Sequence, residues 1–250
     1  MKKLATAIIC LAMGMSLAGG ASAAGGGAKL QEAGNDLGDR PSLQRGAKMF
    51  MNYCSGCHSA KYMRYNRIAE DLGIELTLMQ DNLMFNTQKP GETIQVSMDA
   101  AEAESWFGVT PPDLSVVARS RGTDWIYSFL LSYYVDDSTA TGVNNVVFEN
   151  TAMPHVLWEL QGMQDAVYEV HSDEEGHEET HFVGLEQRTQ GTLSQGEYKR
   201  AVRDLVNFLD YVGEPAKLVR YKLGMWVILY LLLLLGATYA LKKEFWKAVK

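Results

Sequence analysis

Leu43, Ala47, Phe50 and Met51 recur at three- and four-residue intervals, the rhythm of a helix with one buried face. Pro41-Ser42 supplies a start for that helix, which delivers the chain to Cys54. Gly46 lies inside it, where glycine costs about 1 kcal/mol relative to alanine. Close approach of another helix and simple tolerance both account for it. A second stretch opens with Ser194-Gln195-Gly196-Glu197, the Ser and Glu three apart that make a capping box. Tyr198, Ala201, Val202, Leu205, Phe208, Leu209 and Val212 then form an apolar stripe that Gly213 and Pro215 end. Between these two, one further helical rhythm runs from about Thr123 to Tyr134. The rest is punctuated by Gly and Pro, with few alternating stretches and no internal repeat. The pattern predicts a mainly helical body with long loops, and long loops in a small domain often serve a site.

Both ends depart from this rhythm. Leu223 to Leu241 holds nineteen residues without a charge, roughly 30 Å of helix and enough to cross a hydrocarbon layer. Trp226, Tyr230 and Tyr239 lie towards its ends, and Lys242, Lys243, Lys247 and Lys250 follow. A basic tail stays cytoplasmic, so the sequence predicts a single-pass anchor at 223–241 with a cytoplasmic tail at 242–250. At the other end, Met1-Lys2-Lys3, the apolar run Leu4 to Leu17 and Ala21-Ser22-Ala23 read as a secretory signal peptide over 1–23. Residues 24–222 are then expected outside the inner membrane, in the periplasm. Its removal takes Cys10 and leaves Cys54 and Cys57 as the thiols of the mature chain.

The formal net charge of −7 argues against nucleic acid as a partner, because phosphates demand a basic surface. It suits a basic protein partner instead.

The chemistry concentrates at Cys54-Ser55-Gly56-Cys57-His58. A structural zinc site needs four ligands, and two cysteines with an adjacent, strained histidine do not supply them. A thioredoxin-type dithiol opens a helix in a βαβ unit, whereas this pair closes a helical pattern. A structural disulfide is permitted outside the cytoplasm but gives His58 no task. Covalent haem attachment uses all three: each thiol adds across one vinyl group, and the following histidine is held beneath the iron. Cys-x-x-Cys-His is the signature of that chemistry, and one copy means one haem c. The sixth iron position is open at this stage to Met153, in the loop segment Ala152-Met153-Pro154 that Pro154 biases to an extended backbone, to His155, or to an exogenous ligand.

His177-Glu178-Glu179-Thr180-His181 matches the H-E-x-x-H zinc-hydrolase pattern. That pattern requires a helix, and here a Gly and a carboxylate run surround it, which reads as a solvated acidic loop.

Taken in order, the motifs resemble the cytochrome c1 family, the haem-carrying subunits of the cytochrome bc1 complex. Arg45-Gly46 and Phe50 precede the haem motif. Gly108-Val109-Thr110-Pro111-Pro112-Asp113-Leu114-Ser115, Arg119-Ser120-Arg121, Ala152-Met153-Pro154, Gly191-Thr192-Leu193-Ser194 and Gly213-Glu214-Pro215 follow, then the anchor. The resemblance implies an all-α, class I cytochrome c-like domain with long insertions. It implies Met153 as the sixth ligand, Arg121 and secondarily Arg119 on a haem propionate, Pro111 and Pro112 as pocket wall, and Gly46 with Phe50 at a helix crossing. It further implies a non-catalytic electron-transfer subunit. Electrons would pass from the Rieske iron–sulfur protein to a soluble or membrane-bound c-type cytochrome, in a dimeric complex with cytochrome b in the inner membrane lipid. Trp125 stands where the family often has a tyrosine, and 168–181 resembles an acidic insert. A tethered monohaem cytochrome serving another oxidase or reductase, and a zinc hydrolase using the HEETH segment, are the competing functions.

Overall fold

A computed structural model describes residues 29–96, 98–172 and 178–249; the expected signal peptide lies outside them. The chain begins with an irregular lead-in. Helix α1 (Arg40–Tyr53) starts where Asp39 accepts from the Ser42 amide and Pro41 has no N–H that needs an acceptor. Strand β1 (Ala60–Arg64), helices α2 (Tyr65–Leu72) and α3 (Leu76–Leu83), strand β2 (Thr93–Ile94) and helix α4 (Ala100–Phe107) follow. Next come α5 (Val117–Ser120), α6 (Thr123–Leu131), β3 (Tyr133–Val135), β4 (Val143–Asn145) and α7 (Trp158–Gln161). The last elements are β5 (Gln164–Ser172), β6 (Glu178–Gln187), α8 (Gln195–Gly213) and α9 (Lys217–Phe245), with a short 3-10 turn over Trp246–Val249.

Helices α1 and α8 cross at the centre. A Cβ on Gly46 would stand 2.0 Å from the Asp204 carbonyl oxygen and 2.7 Å from the Phe208 Cβ, so only glycine fits. The close approach stacks Phe50 against Phe208, ring centroids 5.6 Å apart. It also lets Arg45 grip Asp204 with two hydrogen bonds, at 2.5 and 3.0 Å. The capping box on Ser194 and Glu197 forms as the sequence predicts. Asn207 ties the lead-in to the crossing by donating to the Asp36 carbonyl and the Ser42 hydroxyl. Helix α6 closes the core from a third side, where the Tyr198 hydroxyl on α8 donates to the Leu130 carbonyl at 2.8 Å.

Three expectations are corrected. The body is mainly helical but not all-α, since three antiparallel two-stranded sheets pair β1 with β2, β3 with β4 and β5 with β6. The helical rhythm from Thr123 breaks after Leu131, and Tyr133 to Val135 pair with Val143 to Asn145. The segment read as an acidic loop is largely the β5–β6 hairpin, whose register runs from Gln164 opposite Gln187 to Ser172 opposite Glu178. A dense carboxylate run masked the alternation: Tyr168 and Phe182 meet across the strands at 5.9 Å. Cross-strand aromatic pairs of this kind stabilise sheets.

The anchor is longer than the uncharged run. Helix α9 begins at Lys217, and the span apolar enough to cross a membrane covers Leu223–Phe245, with none of it buried against the body. Lys217 reaches back to the buried Asp210 at 2.8 and 3.0 Å, which binds the start of the anchor to the end of α8.

The crossing predicts that Gly46→Ala lowers the unfolding free energy of the haem domain by about 1–3 kcal/mol, the usual cost of overpacking. Chemical denaturation of the purified protein measures it. A parent-like midpoint for the variant would mean that the helices do not meet as described.

Candidate functional site

Helix α1 ends at the haem motif. The Cys54 amide still donates to the Phe50 carbonyl, and the Cys57 and His58 amides turn back onto the Cys54 carbonyl. That tight turn puts Tyr53, Cys54, Cys57 and His58 on one wall of an apolar cavity of about 390 Å³, within the range of roughly 300–1,000 Å³ typical of cofactor pockets. Phe107, Val109, Pro111, Pro112 and Leu114 add a second wall, while Val117, Arg121, Trp125, Ile126, Phe129 and Leu130 come from α5 and α6 and the turn between them. Phe148 and Thr151 to Pro154 enter from the loop after β4, and Leu205 and Leu209 from α8.

The orientation of His58 is set by backbone. Its Nδ1 lies 2.8 Å from the Pro112 carbonyl, so the neutral ring donates there and keeps Nε2 as its free basic nitrogen. A metal-ligating histidine is commonly fixed in this way by its second ring nitrogen. Burial pushes the imidazole below its ordinary value, against the Pro112 hydrogen bond and the Asp113 charge that pull it up. The ring is thus neutral at physiological pH. Asp113 braces the same segment. It accepts from the Ser59 hydroxyl at 2.7 Å, the Lys61 amide at 2.9 Å and the Ser115 amide at 2.9 Å. The Leu114 amide meets the Ser59 carbonyl at 2.8 Å, so residues 59–62 and 112–115 close on each other like two strands of a clasp.

The thiols are poor nucleophiles in isolation. Burial, and to a lesser degree Cys57, pushes Cys54 up to about 12, and burial also raises Cys57. Reactive or redox cysteines sit where the thiolate is favoured, so the environment speaks against a redox dithiol. The donor set is what a covalent haem requires: two thiols, a neutral imidazole with a fixed tautomer, a methionine and an apolar surround.

The structure brings Cys54, Cys57, His58, Pro111, Pro112, Arg121 and Met153 to this cavity. It does not bring Arg119. That residue is exposed and lays its stem against Gly213 at the end of α8. On the short helix α5 two residues are about 200° of rotation apart, so Arg119 and the residue at the helix cap, Arg121, leave on opposite sides. Arg121 instead stands over the Trp125 ring at 4.9 Å and the Phe148 ring at 5.8 Å, a cation–π geometry. His155 does not line the cavity either; it is buried against Tyr133, rings parallel with centroids 4.8 Å apart. Burial pushes its imidazole down to about 4.

Strand geometry removes the hydrolase reading. Glu178 to His181 lie on strand β6, not on the helix that the pattern requires. His177 itself falls outside the described residues. Among the described residues no cluster of three or more His, Cys, Asp or Glu could hold a metal ion.

Sequence reasoning missed several lining residues. Phe129 follows the four-residue period of α6, and Leu205 and Leu209 that of α8; the period marks them as inward, not as cavity wall. Phe148 in a loop carried no signal. Nor did the role of Pro112, since a carbonyl oxygen belongs to every residue.

A model of the Cytochrome C1 family matches residues 35–249 of the chain. Over 227 residues the chain is 52% identical to a cytochrome c1 of Allochromatium vinosum, covering 91% of this chain and 92% of that relative. It is 45% identical to a protein of Nitrosomonas europaea named as an ammonia monooxygenase gamma subunit, covering 88% and 89%. A mitochondrial cytochrome c1 heme protein of Schizosaccharomyces pombe is 28% identical, covering 85% and 68%.

The clasp has a pH signature. Burial would raise the Asp113 carboxyl, but hydrogen bonds from Ser115, Ser59 and the Lys61 amide together hold it below the usual carboxylate range. A depressed folded value contributes stability that is complete above the unfolded value, about 4, and is lost as pH falls through the folded one. Asp113→Asn is therefore expected to be less stable than the parent at neutral pH, with the gap closing below about pH 4. Denaturant midpoints across a pH series test this; a pH-independent gap would contradict it.

Proposed function

The chain belongs to the cytochrome c1 family, and from that premise we propose which of its residues hold the family's haem and what they do with it. The protein is a monohaem electron-transfer subunit of a cytochrome bc1 complex, with one covalently attached haem c. Cys54 and Cys57 would hold the haem through two thioether bonds, and His58 Nε2 and the Met153 sulfur would bind its iron. The observation that carries this assignment is the His58 Nδ1–Pro112 contact inside an apolar cavity that Cys54, Cys57 and Met153 share.

The haem, when bound, supplies a one-electron couple between ferric and ferrous iron. The chain's own residues set its conditions. His58 stays neutral because burial outweighs the Pro112 hydrogen bond and the Asp113 charge, while the Nδ1–Pro112 contact fixes its tautomer. The Met153 thioether, bound to the iron, would favour its reduced state and would exclude other ligands. Trp125, Phe129, Leu130, Leu205 and Leu209 exclude water and so lower the local dielectric. Arg121 fits a propionate partner by its planar, permanently charged fork, and its place over Trp125 and Phe148 limits where that fork can go. Pro111 and Pro112 act as cavity wall, Pro112 also through its carbonyl. No substrate bond forms or breaks here; one electron enters and one leaves.

The relatives' names support assembly with cytochrome b, and one relative of Bradyrhizobium diazoefficiens, 25% identical, is named cytochrome b/c1. Within that assembly the donor would be the Rieske iron–sulfur protein and the acceptor a soluble or membrane-bound c-type cytochrome, in a dimeric complex. Helix α9 is the single-pass anchor, and its lysines at 242, 243 and 247 favour a cytoplasmic C-terminus and a periplasmic haem domain. Helix α4 offers the acceptor a docking field: Asp99, Glu102 and Glu104 stand on the element that ends in Phe107 and leads to Val109, both cavity-lining.

Met153→Leu is expected to keep its haem through acid–acetone extraction and to bind carbon monoxide when reduced. Its midpoint potential should fall by on the order of 0.2 V, inside the ~0.8 V span that axial ligands command. Visible spectra and redox titration read these; a parent-like potential would remove Met153 from the iron. Acceptor turnover at low substrate should decline as salt rises, because charges of this kind act on encounter; a flat salt profile would remove α4 from the docking face.

A further inference from the structure

Met153 is half-buried and lies in neither a helix nor a strand. A thioether on such a segment competes poorly with other ligands unless its backbone is held in place, since ordering the loop opposes every productive geometry. Here the backbone is held at both ends. The Met153 amide donates to the Thr151 hydroxyl at 3.3 Å, and the Met153 carbonyl accepts from the Tyr133 hydroxyl at 3.2 Å.

Tyr133 is itself immobile, with 1% of its surface exposed. Its ring stacks on His155, two residues beyond Met153, and meets Phe129 edge-on at 5.3 Å. Phe129 stacks on Trp125 at 5.2 Å, and Arg121 stands over Trp125. The spacing 125, 129, 133 continues the face of α6 past its end, so a rigid aromatic column reaches from Arg121 to the methionine loop. Trp125, Phe129 and Met153 line the cavity whereas Tyr133 does not, so whatever it does to the iron it does through Met153.

We propose that Tyr133 is a positioning residue for the sixth iron ligand: its hydroxyl, together with that of Thr151, clamps the Met153 backbone so that the thioether is held ready for the metal. The proposal rests on the assignment of Met153 as axial ligand. A weak, neutral ligand depends on such preorganisation more than imidazole does, because it has little intrinsic affinity to spare.

The test uses the full-length holoprotein in detergent, with free imidazole as the probe that displaces a thioether from ferric haem. The near-infrared charge-transfer band of thioether-ligated ferric haem is recorded alongside. Tyr133→Phe keeps the ring column and removes the hydroxyl. It should bind imidazole roughly three- to tenfold more tightly than the parent, the factor that one net hydrogen bond is worth, with the band weakened. Thr151→Val should move in the same direction and Thr151→Ser should remain near the parent; if Tyr133→Phe does not assemble, this pair decides. Tyr211→Phe is the control, since it loses a buried hydrogen bond to Asp71 at 2.8 Å away from the cavity. It should lower the unfolding temperature and leave imidazole affinity unchanged. Equal imidazole affinity in Tyr133→Phe and the parent, or an equal rise in Tyr211→Phe, overturns the positioning role. A parent protein that lacks the band and binds carbon monoxide freely overturns the Met153 assignment first, and the clamp with it.

Discussion

The contact between Gly46 and the Asp204 carbonyl is the constraint on which the rest of this structure depends. Two helices can approach to backbone contact only where one side lacks a Cβ, and packed interiors leave no slack to absorb an error. Because α1 is pinned to α8 there, its last turn has a single direction in which to end. Phe50 fills the space beyond the glycine, Arg45 and Asp204 lock the rotation, and the chain leaves the helix at Cys54. Two thiols and an imidazole are thereby delivered to one side of the core, while Leu205 and Leu209 of the same α8 supply another.

From that point the site is assembled largely by main chain. The Pro112 carbonyl sets the His58 tautomer, the Cys54 carbonyl closes the turn of the motif, and the Met153 backbone is gripped from both sides. Such groups are short and stiff compared with long side chains. They hold the His58 ring and the Met153 backbone in place with little entropy left to lose. The surrounding aromatic and aliphatic residues contribute differently. They make no polar contacts in the cavity, but they keep water out, which both neutralises His58 and strengthens every remaining electrostatic effect. Electron transfer asks for little reorganisation between redox states, and a dry, clamped cavity is the physical form of that requirement.

The link between domain and membrane follows the same logic. Lys217 at the head of the anchor pairs with Asp210 near the end of α8, and Asn35 of the lead-in donates to the same carboxylate. A lysine and an aspartate that are both mostly buried rest on each other's charge and hydrogen bonds. Three separate parts of the chain therefore meet at one carboxylate, and the anchor begins as an extension of the core rather than as a free tether.

Much of this was legible in the residues alone. The helical periods of α1 and α8, the capping box, the apolar anchor and the Cys-x-x-Cys-His motif are local patterns, and local patterns are what a sequence states directly. Gly46 was legible as an anomaly but not as a contact, because its meaning depends on Asp204 and Phe208, more than 150 residues away. Likewise Arg119 and Arg121 are the same residue type two positions apart. Only the turn of α5 decides that one lies against Gly213 and the other over Trp125. The β5–β6 hairpin was hidden because charge dominates its composition, while pairing between strands depends on a partner that composition does not name. Which chemistry the chain carries was thus determined by covalent order and residue type; which groups hold it in place was decided by the tertiary structure, because carbonyl oxygens and helix faces acquire roles only from what folds against them.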